Sequence, residues 1–113
     1  MRSPFLVIER DRFVARLPDH GDDLERLQDQ DFYVTVDGGP TYCVTLMTLE
    51  AIDAVLRRWA QTGEGAGGRY FYATDLVITP RPGITAMIEA IEALVAADEL
   101  AGAGRIIPAS AAD

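Results

Sequence analysis

The chain has no lysine and no asparagine, and its 113 residues include one cysteine and one histidine. A lone cysteine, Cys43, cannot form an intramolecular disulfide and has no second thiolate with which to hold a metal. This fits a reducing compartment, and a cytoplasmic location is expected. No apolar run approaches the ~20 residues needed to span a bilayer. The opening stretch MRSPFLVIERDR meets Arg and Glu after a few apolar residues, without the apolar core and cleavage site of a signal peptide. No nucleophile elbow, zinc motif, catalytic Ser/His/Asp order or basic-aromatic nucleic-acid platform is present. Catalytic residues, cofactor ligands and metal ligands are therefore not assigned.

All ten basic residues are Arg, against 18 acidic ones, giving a formal net charge of −8. Arg without Lys, together with abundant Ala and Gly, points to the codon bias of a GC-rich, bacterial genome. Individual Arg residues then carry little functional information. An acidic surface repels nucleic acid and anionic membranes, so neither is expected as a partner. It suits another protein with a basic surface, although solubility alone explains acidity.

Almost half the residues are hydrophobic, enough for one core without disulfides or metal. The pattern reads β, β, short α, β, β, α, β, α. Residues 4–9 and 12–17 are β-prone on either side of Arg10-Asp11. Pro18-Asp19-His20-Gly21 is a turn, and Asp22 with Glu25 resembles a capping box opening a short helix over 22–30. Residues 31–37 and 41–48 form the clearest hairpin, joined by Asp37-Gly38-Gly39-Pro40. Thr48 caps a helix whose apolar stripe is Leu49, Ile52, Val55, Leu56 and Trp59, ending at Gly63. Residues 63–68 read as a flexible linker and 69–79 as one or two strands. A last helix covers 84–100. The expected fold is a single α+β domain over 1–100 and a loose tail over 101–113. Its mostly antiparallel sheet has about five strands, with both long helices on one face and the short helix at the periphery.

Gly63, Gly65 and Gly68 match G-x-G-x-x-G, but a helix precedes the loop and a strand follows. That order turns the negative end of a helix toward the loop, and Glu64 adds negative charge, so phosphate binding is rejected. His20 sits among Asp19, Asp22 and Asp23, where carboxylates favour its protonated form. A solvated turn explains this cluster more simply. Asp75 interrupts an apolar run between Thr74 and Leu76, and it suits either a strand end or a ligand-contacting acid beside Tyr72. Tyr33, Tyr42, Tyr70 and Tyr72 lie in or near strands. Two-residue alternation groups Tyr33 with Thr35, and Tyr70 with Tyr72 and Thr74, as a Tyr/Thr-rich sheet face suited to protein contact.

The expected function is a non-enzymatic protein–protein interaction module using that face and the acidic run around Asp19, Asp22 and Asp23. Immunity proteins that neutralise basic toxins, or accessory proteins of an operon, are analogies in size and charge alone. Two alternatives stand beside it. One is an enzyme or small-ligand binder with a pocket near Asp75 and Tyr72. The other is a self-associating structural domain, a homodimer through the open sheet face.

Overall fold

The computed structural model describes residues 5–19, 21 and 23–108. His20 and Asp22 fall outside them, so the pH-sensitive turn and the Asp22 cap lie outside the described residues. The fold is α+β with a mostly antiparallel six-stranded sheet and two long helices.

Strands β1 (Phe5–Glu9) and β2 (Phe13–Pro18) form a hairpin whose turn Arg10 closes, its N–H donating to Phe13 O at 2.9 Å. β2 then pairs with β3 (Asp29–Val36), and β3 with β4 (Thr41–Thr48), all antiparallel. The alternation that marks these strands sorts their side chains by face. Phe13, Ala15 and Leu17 of β2, Phe32 and Val34 of β3, and Val44 and Leu46 of β4 are buried on one side. Helix α3 (Ile84–Ala96) lies over that side through Met87, Ile88, Ile91 and Val95, and Leu100 of the short α4 (Leu100–Ala103) completes the core.

The other edge of β4 is shared. Strand β5 (Leu76–Thr79) runs parallel along Thr45–Thr48, and β6 (Arg105–Ile107) runs antiparallel along Thr41–Cys43. Residues 101–107, expected to be a loose tail, are thus part of the fold. The vacancy on β4 below β5 supplies their pairing partner, and Ile107 is 9% exposed. The expected helix over 22–30 is a single 3-10 turn, Leu24–Arg26, because β3 begins at Asp29, opposite Met47. Asp23 caps that turn, accepting from Glu25 N–H at 3.1 Å.

Helix α1 (Leu49–Thr62) differs most from expectation. It is strongly amphipathic, yet none of its 14 residues is buried and none joins the core under α3. The helical layer on the core face is α3 with α4. The apolar stripe of α1 meets the chain that follows it.

Candidate protein-contact site

Helix α1 starts where Thr48 Oγ1 accepts from Ala51 N–H at 3.0 Å. The same hydroxyl donates to Gln28, which ties the helix start to the segment before β3. The helix stops at Gly63, whose φ of 91° is left-handed and whose N–H donates to Trp59 O at 2.9 Å. The expected flexible linker is instead an ordered left-handed turn, α2 (Glu64–Gly68). Gly65, Ala66 and Gly67 have φ of 56°, 52° and 76°, and Arg69 N–H donates to Gly65 O at 2.9 Å.

This turn lies against α1. A Cβ on Gly65 would fall 2.4 Å from Trp59 Cε3, and one on Gly68 would fall 2.4 Å from Leu56 O. Neither position has room for a side chain. Beyond the turn, Phe71 packs on Trp59 with ring centroids 5.5 Å apart. The Trp59 side is therefore covered, but Leu49 at the start of α1 stays 62% exposed. Tyr70 and Tyr72, 6.3 Å apart, are 53% and 78% exposed. Asp53 and Arg57 pair across one turn of the helix at 2.8 Å, and both are solvated.

The tyrosines do not share one sheet face. Residues 70–75 form no strand, and Phe71 packs on Trp59 of α1 instead of pairing along a sheet edge. Tyr42 points to the core face and packs against it. Only Tyr33 sits where the alternation put it, on the face opposite the core. There it meets Phe5 edge-on at 6.1 Å, with the Thr35–Thr41 hydroxyl pair nearby at 2.7 Å.

Asp75 is buried at the end of β5, and its carbonyl accepts from Thr45 N–H at 2.9 Å. It faces the break between β5 and β6 on the edge of β4. There its carboxylate accepts from the Cys43 thiol, and Arg105 lies opposite Cys43 in register. Thr45 Oγ1 donates to Asp31 Oδ1 at 2.6 Å on the neighbouring strand. Burial pushes the Cys43 thiol pKa up. The Asp31 and Asp75 charges and the bond to Asp75 push it further, against the opposing pull of Arg105. A thiol held neutral in this way is a poor nucleophile. Tyr72 is exposed to solvent, whereas Asp75 is buried.

Much of the acidic run is engaged locally. Asp19 accepts from Gly21 N–H at 3.0 Å. Glu25 reaches the first turn of α3, accepting from Thr85 Oγ1 at 2.6 Å and from Thr85 N–H at 3.4 Å. It thereby caps a helix whose own cap residue, Gly83, has no side chain to do so. No sequence signal ties Glu25 to Thr85, because the two stand 60 positions apart. Among the described residues no group of three or more His, Cys, Asp or Glu could hold a metal ion, and no helix is long and apolar enough to cross a membrane. Compared with protein-family models, curated proteins and solved structures, the chain matches none.

Proposed function

We propose that this protein is a non-enzymatic protein–protein interaction module that engages its partner through α1 and the aromatic segment beside it. One observation carries the reading: a 14-residue helix with a continuous apolar stripe has no buried residue. Amphipathic helices are stabilised chiefly by burying that stripe. Here the Gly65–Phe71 segment covers one end and leaves Leu49, Tyr70 and Tyr72 exposed. Large apolar and Tyr-rich surfaces of this kind favour protein contact. The net charge of −8 favours a basic partner and acts mainly on the rate of encounter. An immunity-protein-like or operon accessory role is one form that such a module takes.

The test is a surface variant carrying Leu49→Asp and Tyr72→Asp, two positions whose exposure leaves the fold intact. Co-purification of partners from the source cells should be lost while the melting temperature is unchanged. A variant that keeps every partner removes α1 from the contact surface. If light scattering instead finds a dimer that the variant splits, the partner is a second copy of the chain.

A further inference from the structure

A second surface lies at the far edge of the sheet, separated from β4 and α1 by β2 and β3. Strand β1 is the end of the sheet path and pairs with β2 alone among the described strands. The pairing fixes which of its backbone groups face outward. Arg10 N–H donates to Phe13 O, so Arg10 and Phe13 are a hydrogen-bonded pair. Antiparallel pairs alternate in type. Ile8–Ala15 and Leu6–Leu17 are then bonded pairs, whereas Val7 and Glu9 direct their N–H and C=O groups away from β2. Glu9 O accepts from the Arg10 side chain at 3.0 Å, which leaves the N–H of Glu9 and both backbone groups of Val7 on the open edge.

Beside this edge lies a cleft of about 660 Å³ between β1 and α3. Its floor is apolar, with Ile8 from the strand, Leu24 from the 3-10 turn, and Ile84 and Ile88 from α3. Its rim carries the carboxylates of Glu89 and Glu92 from α3, and Arg10 also lines it. Arg10 approaches Glu92 only to 3.8 Å and Arg81 approaches Glu89 only to 4.0 Å, in exposed pairs that contribute little and are readily exchanged. Val7, 54% exposed, adds an apolar side chain to the strand's outer side.

An open strand edge, an apolar trough and an acidic rim together select an extended segment. It must add backbone hydrogen bonds to the edge, and because alternate side chains of a strand point to opposite faces, the set facing α3 must supply both the apolar groups for the trough and the cations for the rim. We propose that β1 accepts an extended segment of a basic partner protein as a seventh strand, whose α3-facing set of side chains is apolar at its centre and Arg or Lys at its ends. This contact is distinct from the α1 surface, and variants at one do not test the other.

The probe is a fluorescein-labelled, end-blocked octapeptide with Arg at its first and seventh positions, Val at its third and fifth and Ser elsewhere, titrated onto the full chain and read by fluorescence anisotropy. Two N-methylated versions of the peptide, each methylated on one alternate set of amides, leave the protein untouched. Methylation of the set facing β1 should weaken binding at least tenfold, and methylation of the other set should have little effect. Replacing Arg by Glu in the peptide should also weaken binding at least tenfold, as should Glu89→Arg combined with Glu92→Arg in the protein. Val7→Pro removes an outward N–H without touching the bonds to β2, and it should give the same loss. Lack of binding by the parent peptide at about 1 mM, or equal binding by both methylated peptides, overturns strand addition. A dimer in light scattering that Val7→Pro converts to monomer overturns it in favour of a second copy on this edge.

Discussion

The left-handed turn after α1 makes a demanding prediction, because adjacent glycines differ in one respect only. Gly67 and Gly68 have φ of 76° and 80°. Alanine at either position must adopt left-handed backbone, at about 1–2 kcal/mol. The loss of chain freedom in the unfolded state offsets about 0.4–1 kcal/mol of that. For Gly67 nothing lies within 4 Å of an added Cβ, so Gly67→Ala should cost about 1 kcal/mol. For Gly68 the added methyl falls 2.4 Å from Leu56 O and 3.0 Å from Ala60 N, both in the helical backbone. Neither atom can yield without bending α1, and overpacking of this kind adds about 1–3 kcal/mol. Gly68→Ala should therefore cost about 2–4 kcal/mol.

Urea unfolding followed by fluorescence suits the measurement, because Trp59 is the only tryptophan and packs beside the turn. Gly68→Ala should lower the midpoint and shift the folded-state emission to the red as the turn lifts away. Gly67→Ala should lower the midpoint slightly and leave the emission unchanged. Equal midpoints for the two variants with identical emission would refute the close approach of the turn to α1.

Thr85→Ala removes the hydroxyl that donates to Glu25 and should cost about 1 kcal/mol by thermal melting. Glu25→Ala also removes the acceptor of the Thr85 N–H and should cost more, and Thr85→Ala should cause no further loss when added to it. One-sided burial and the neighbouring Asp31 carboxylate push the Asp29 pKa above its ordinary 3.8, so the folded chain holds that proton more tightly than the unfolded chain does. Stability from this group thus grows as pH falls through the raised value and levels off below the unfolded one. Asp29→Asn should be the more stable protein at pH 7, and its advantage in urea titrations should shrink toward about pH 4. The raised Cys43 pKa predicts slow alkylation by iodoacetamide at pH 8, faster in Asp75→Asn because one of the charges opposing the thiolate is gone. Hydrogen exchange should reach the amides of α1 well before those of α3, and equal protection of the two helices would contradict the unburied state of α1.

The elements legible in the sequence are those decided locally. Strand 41–48 and helix 49–62 follow from alternation, from the Thr48 cap and from the Gly63 stop, and all three operate within a few residues. The misread segments needed a partner that sequence does not reveal. Tyr70, Phe71 and Tyr72 have strong β-propensity, but a strand exists only where an edge is free to pair. In that stretch the Trp59 ring outcompetes any sheet edge, and pairing begins at Leu76, where β4 lies alongside. The three residues of β6 carry almost no pattern, and they pair because β5 leaves the first half of the β4 edge vacant. The candidate site was legible in part. Tyr70, Tyr72 and the stripe of α1 were all visible, but the expectation was that the sheet would cover the stripe and that the tyrosines would form a sheet face.

The exposure of α1 also explains why the glycines around it are where they are. A 14-residue helix is marginal alone in water, and this one takes no support from the main core. It is held by its two caps and by one turn of chain pressed onto its last residues, at a distance only glycine allows. Covering the stripe with bulky side chains from the same chain would have been simpler and more stabilising. Glycines instead clamp the C-terminal end of the helix, and Leu49 and the two tyrosines stay uncovered. A partner that buries Leu49, Tyr70 and Tyr72 would add to α1 the apolar contact that the fold withholds. The least supported helix of the free protein would then gain the most on binding, and coupling between partner contact and local order follows from where the glycines stand.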